Sequence, residues 1–187
     1  RILVVVVRTM EVLTAVLALV AGVAAVLFVV ARVLAGRSST VRRLGVAVVG
    51  RRSSWTLAVA SVATFGSLYF SEVADYVPCR LCWFQRIAMY PIALVALVAT
   101  IRRDAAARWY VVPMAAIGAV VSSYHYLIER GVLNDSGSCA LFGPSCADVW
   151  FEEFGFVTLA FMALVGFVAV LVVNVVSFPP VPTEESS

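Results

Sequence analysis

The sequence predicts an all-α integral membrane protein, and three observations carry that prediction. Of its 187 residues, 63% are hydrophobic, and its mean hydropathy is +1.01. A soluble domain holds roughly 45–50% apolar residues, so one aqueous core cannot hide this much apolar surface. The apolar residues also gather into runs long enough to span a bilayer. Charge collects between those runs. All fourteen basic residues are arginine, which reads as the codon bias of a GC-rich genome. Net charge is +3, but the arginines follow no groove pattern, so nucleic acid is not an expected partner.

Val12 to Ala31 is the first apolar run. Read as a signal peptide, it would take Arg1 and Arg8 as its charged start. The run is too long for that, and no convincing small-residue cleavage site follows, so a retained helix is expected. Arg32, Arg37, Arg42, Arg43, Arg51 and Arg52 crowd the next stretch. The positive-inside rule places this loop in the cytoplasm. Leu44 to Val49 within it is too short to span.

The second span runs from about Trp55 to Glu72 and leads outward. A third returns through Ile101 to Arg102, Arg103 and Arg108, a second basic loop on the cytoplasmic side. The fourth covers about Trp109 to Leu127. Glu129 to Phe151 is then the largest outer loop, rich in the turn formers Gly131, Asn134, Asp135, Gly137, Gly143 and Pro144. The fifth runs from about Phe154 to Val176. Trp55, Trp83, Trp109 and Trp150 fall at expected interfaces, as an aromatic belt requires. Ser177 to Ser187 is Pro-rich, then acidic, and reads as a disordered tail.

The chemistry lies at the start of the third span, in Pro78-Cys79-Arg80-Leu81-Cys82. Pro78 suits the first turn of a helix. The helix start favours a thiolate through its free amides and dipole. Cys82 and Arg86 share one helical face, and the guanidinium there would favour a Cys82 thiolate or its complex with an electron acceptor. Arginine this close to the start of a membrane helix is seldom without a role.

Cys139 and Cys146 form a second pair in the large outer loop. Disulfides persist on that side of a membrane. A loop pair can exchange with the fixed pair and with a soluble partner. The layout suggests a relay from partner thiols, through the loop pair and the helix-start pair, to a lipid-soluble quinone. Two other readings stand beside it. The four cysteines can hold one zinc, or they can form two inert bridges. His125, the only histidine, lies at the expected depth of Cys82 and Arg86. It suits a hydrogen bond to a quinone carbonyl or a proton transfer, and equally an interfacial structural place. Gln85 and Tyr90 lie on or beside the Cys82 face and read as packing residues.

The run Pro78-Cys79-Arg80-Leu81-Cys82-Trp83-Phe84-Gln85-Arg86-Ile87-Ala88-Met89-Tyr90-Pro91 resembles the signature of the DsbB/BdbC disulfide-bond formation proteins. Ser123-Tyr124-His125-Tyr126-Leu127 resembles the BdbC-like branch. The resemblance covers roughly Trp55 to Val176. It implies a membrane four-helix bundle that reoxidises an extracytoplasmic thioredoxin-fold thiol oxidase (DsbA/BdbD-like) and passes electrons to quinone. The fold expected is thus a four-helix bundle with an additional N-terminal transmembrane helix. Its parts are residues 1–37 for that helix, 38–54 for the basic loop, 55–176 for the bundle and 177–187 for the tail.

The resemblance also implies roles. Cys82 is the quinone-side sulfur with Arg86 beside it, and Cys79 is its pair. Cys139 takes the mixed disulfide with the partner, and Cys146, once freed, attacks Cys79. The segment from Val149 to Phe154 would lie along the membrane surface. The arginine-only composition favours menaquinone over ubiquinone. A vitamin-K-epoxide-reductase-like protein places its loop cysteines before the Cys-x-x-Cys; here they follow it. A non-catalytic, zinc-bound or disulfide-stapled membrane subunit is the reading from another class. A transporter fits poorly, because no paired interrupted helices mark a midplane site.

Overall fold

The computed structural model describes residues 2–134 and 144–179. Cys139 and most of the tail lie outside them. Six helices follow in order: α1 (Ile2–Leu34), α2 (Ser39–Gly50), α3 (Arg52–Glu72), α4 (Arg80–Arg102), α5 (Arg108–Glu129) and α6 (Leu159–Val175). Helices α3 to α6 close into a ring in which α3 packs on α4, α4 on α5, α5 on α6 and α6 back on α3. Helix α1 lies outside the ring, mainly on α6. This is the four-helix bundle with one additional N-terminal helix.

Helices α1, α4 and α5 are long and apolar enough to cross a membrane. At about 1.5 Å per residue, the 21 residues of α3 also reach roughly 30 Å, although serines lower its hydropathy. Helix α6 has 17 residues and starts at Leu159, later than the Phe154 expected. The cause is local: Phe154 and Gly155 both take positive φ, and Glu153 bridges Val157 in a tight turn. Thr158 then caps the helix, its hydroxyl accepting the Phe161 N–H at 3.2 Å. The stretch from Leu44 to Val49, too short to span, belongs to the 12-residue helix α2.

The ring's core joins Ala60, Met89, Ile92, Val111, Phe167 and Val170. Small residues let the helices approach, as membrane helices require. A Cβ on Gly118 would stand 2.2 Å from Phe167 Cε1, so the ring of Phe167 occupies the room this glycine leaves. Toward the arginine-rich end, buried Asn174 donates to Thr56 Oγ1 at 2.8 Å and ties α6 to α3. Phe178 stacks near Phe28 of α1 and fills the space over Gly45 of α2. The outward face of α1 exposes Val20, Val23, Val26 and Leu27, the surface a helix offers to lipid.

Candidate functional site

Helix α4 starts at Arg80, two residues later than Pro78 in its first turn would have it. Cys79 is the N-cap, extended at φ −72° and ψ 172°, and its sulfur accepts the Cys82 N–H at 3.3 Å. A capping side chain must stand outside the helix to reach back, so Pro78 is pushed into the preceding loop. The cap brings Cys79 Sγ to 2.8 Å from Cys82 Sγ. The Cys79 thiol is pushed up to about 12, first by its hydrogen bond with Cys82 and then by burial. It therefore keeps its proton at neutral pH.

Cys146 is fully buried and packs in one cluster with Cys79, Leu81 and Ile128, with Cys82 at its edge. The sequence suggested a loop pair able to exchange with the fixed pair. The structure holds Cys146 against that pair already. Cys139, its expected partner, falls outside the described residues.

His125 is buried beside Cys79, with Nε2 3.6 Å from the sulfur. Gln85 Nε2 donates to His125 Nδ1 at 3.1 Å. That assignment leaves the ring proton on Nε2, facing the Cys79 sulfur. Glu129 Oε1 lies 3.8 Å from the same Nε2, and Thr158 donates to the other Glu129 oxygen at 2.5 Å. A chain of polar groups thus runs from Cys79 through His125 to Glu129 at the end of α5. Gln85, read from sequence as packing, orients the histidine. Glu129 and Thr158 were not singled out by sequence at all. A carboxylate four residues after a histidine was the available signal.

Arg86 does not contact Cys82 in a hydrogen bond. Its Nη2 donates to the Ser67 carbonyl at 3.0 Å, and its guanidinium lies 5.4 Å from the Trp83 ring centroid. Tyr90 reaches Ser67 Oγ at 3.4 Å. Cys82, Gln85, Arg86 and Tyr90 line one wall of an apolar cavity of about 470 Å³. That lies within the ~300–1,000 Å³ of ordinary small-molecule sites. His125 is not among its lining residues and reaches it only through Gln85. The slot is apolar, with a cysteine and a guanidinium among its lining groups.

The segment from Val149 to Phe154 covers the cysteine end. Trp150 stacks on Tyr76 at 5.0 Å, and Phe151 is buried against Phe70. Cys79, Cys82 and His125 also place three potential metal ligands within 4.8 Å of one another.

A closed helical bundle with a buried Cys-x-x-Cys, a third cysteine packed on it and an apolar cavity beside it defines a membrane protein of thiol–disulfide chemistry. The chain belongs to the DsbB family of disulfide bond formation proteins, whose family model matches residues 50–177. It is 44% identical to disulfide bond formation protein C of Bacillus subtilis (strain 168) over 121 residues, 64% of this chain and 86% of that one. It is 42% identical to the probable disulfide formation protein C 1 of Bacillus anthracis over 111 residues, 59% of this chain and 80% of the relative. A disulfide bond formation protein B from the SPbeta prophage of Bacillus subtilis is 38% identical over 104 residues, 56% of this chain and 70% of that one. No solved structure matches.

Proposed function

We propose that this protein is a thiol:quinone oxidoreductase of a bacterial plasma membrane, with both cysteine pairs on the extracytoplasmic side. It reoxidises a thioredoxin-fold thiol oxidase and so supports disulfide formation in exported proteins. The observation that carries the reading is the packing of Cys146 on Cys79 at one end and the opening of the cavity onto Cys82 at the other.

The overall reaction converts a partner dithiol and a quinone into a partner disulfide and a quinol, so two electrons and two protons balance. A partner thiolate attacks Cys139 of a Cys139–Cys146 disulfide. Cys146 leaves as the thiolate and attacks Cys79 of a Cys79–Cys82 disulfide, releasing Cys82 toward the cavity. The second partner thiol then displaces Cys139, whose thiolate attacks Cys146 of the Cys79–Cys146 bridge and re-forms Cys139–Cys146. This leaves Cys79 and Cys82 as the dithiol, whose two electrons and two protons would pass to a quinone as the Cys79–Cys82 bond is restored. Exchange of this kind needs sulfurs in contact, and the burial of Cys146 in one cluster with Cys79 supports that reading. A bound quinone supplies the two-electron sink, and menaquinone is the species we favour from the composition. Arg86 supports charge at Cys82, and His125 with Glu129 moves the proton that Cys79 gains or loses.

The metal-binding alternative rests on the cluster of Cys79, Cys82 and His125. A tetrahedral zinc with Zn–S near 2.3 Å keeps two sulfurs about 3.8 Å apart. The observed 2.8 Å suits sulfur–sulfur exchange better.

The test is quinone reduction followed by absorbance, with the detergent-purified protein and a reduced thioredoxin-fold dithiol. Thiol-dependent reduction that is lost in Cys82→Ser supports the relay. No reduction by the intact protein with menaquinone and ubiquinone analogues, together with stoichiometric zinc, would replace it with the metal-bound reading.

A further inference from the structure

Helix α1 lies outside the matched region 50–177, and the proposed reaction gives it no task. Yet the cavity beside Cys82 is not enclosed by the ring of α3 to α6 alone. Thr14, Leu17, Ala18, Val20, Ala21 and Ala24 of α1 also line it. These positions recur every three or four residues, so they form one face of the helix. Half of that face is alanine, and Val23 and Val26 stand exposed away from it. Helix α1 runs beside α6, where Gly22 lies next to Val165, and it meets α3 where Thr14 faces Gly66. Between these supports the small side chains leave a gap.

The gap is long. It begins at Tyr76, Pro78 and Trp150 at the cysteine end and continues past Phe70 to Trp55 near the other end of α3. At about 1.5 Å per residue, Phe70 and Trp55 are roughly 22 Å apart along the helix. A volume of about 470 Å³ drawn out over such a length is a narrow slot, not a round pocket. Its polar groups, Gln85, Arg86, Ser67 and Tyr90, belong to the cysteine end. The α1 face farther along is apolar. A molecule matching this profile has a small polar-edged ring at one end and a long hydrocarbon chain.

The cysteine end of α1 is fastened down. Arg8 donates to both carboxylate oxygens of Glu153, the second at 3.3 Å, and also reaches Glu11 at 3.3 Å. Tyr76 donates its hydroxyl to Glu11, which is buried. Tyr76 lies three residues before Cys79, and Glu153 follows Trp150, so the fastening joins α1 to both segments that carry cysteines.

We infer that α1 converts the side of the bundle into a channel for the polyisoprenoid tail of the quinone, with Ala18, Ala21 and Ala24 as the residues that admit the tail. The inference rests on the proposed quinone reaction and assigns to α1 the choice between tailed and tailless acceptors.

The experiment compares Ala21→Phe and Ala24→Phe with the intact full-length protein. Each is assayed with a tailless naphthoquinone and with the same ring carrying a multi-unit isoprenoid tail. Val23→Phe, on the exposed face, is the control. Filling the channel should raise KM for the tailed acceptor about tenfold, equivalent to about 1.4 kcal/mol. KM for the tailless acceptor and the thiol partner should stay unchanged, which also shows that the variants fold. An equal effect on both acceptors, no effect on either, or the same effect from Val23→Phe would overturn the channel while leaving the quinone reaction standing. Failure of the intact protein with every acceptor would instead overturn the quinone reaction, and the channel with it.

Discussion

Gln85 and His125, forty residues apart in sequence, meet through a 3.1 Å hydrogen bond that orients the imidazole. Because Gln85 fills Nδ1, the proton of the neutral ring sits on Nε2, where Cys79 and Glu129 both lie. The same glutamine lines the cavity, so one side chain touches both the cavity beside Cys82 and the histidine beside Cys79.

Replacing Gln85 by Leu should therefore leave Nδ1 buried without a donor. A net loss of about 1–1.5 kcal/mol is expected, or roughly a tenfold fall in turnover. The pH profile of turnover should also change shape, because the tautomer is no longer set. Equal turnover and an unchanged profile would show that Gln85 only packs.

In the reduced protein, the retained proton of Cys79 has a chemical consequence. The thiolate is the nucleophile, so alkylation should label Cys82 before Cys79. Cys82 lies 2.8 Å from the Cys79 sulfur and is the more exposed of the two. Labelling of Cys79 should rise only as pH climbs from the ordinary thiol value of 9.0 toward about 12. The raised value also means that the folded dithiol form is favoured below pH 9 and loses that contribution as pH rises through about 12. Timed alkylation with mass analysis would show the order directly.

Tyr76 couples α1 to the bundle through Glu11, and its phenol is pushed up to about 12, by burial first and by the Glu11 hydrogen bond next. The contribution is therefore present below the ordinary value of 10.0 and fades as pH rises toward about 12. Tyr76→Phe leaves the buried Glu11 short of a donor and should cost about 1–3 kcal/mol. Thermal unfolding in detergent would register the loss, and the difference from the intact protein should shrink in strong alkali.

Gly118 offers a packing test remote from the cysteines. An alanine there would bring its Cβ to 2.2 Å from a fully buried Phe167 ring. A rigid aromatic in a full core cannot yield cheaply, so Gly118→Ala should destabilise by about 1–3 kcal/mol. Adding Phe167→Leu should recover part of the loss in the same unfolding measurement. Full stability in Gly118→Ala would mean that α5 and α6 can slide apart.

Much of the fold was legible because a bilayer imposes simple rules. Apolar runs of span length must be helices, since lipid satisfies no backbone group. The helices α3, α4 and α5 accordingly fall where hydropathy and arginine placement put them. The start of α6 was read too early, because the tight turn at Phe154 and Gly155 is built from apolar residues that look like a span. The closeness of Cys79 and Cys82 was legible from spacing, whereas the Arg86 hydrogen bond to the Ser67 carbonyl was not, because Ser67 belongs to another helix.

The sequence by itself determined the solvent this protein lives in, its helical class, and the local pair of sulfurs at the start of α4. Those properties depend on composition and on neighbours within one helical turn. Only the tertiary structure decided that Cys146 is buried on Cys79, that His125 stands between Gln85 and Glu129, and that α1 closes the side of the cavity beside Cys82. Each of the first two joins helix α5 or the loop after it to the start of α4, and the third joins the first helix to the bundle. Such contacts depend on how the helices pack side by side, which no local pattern encodes.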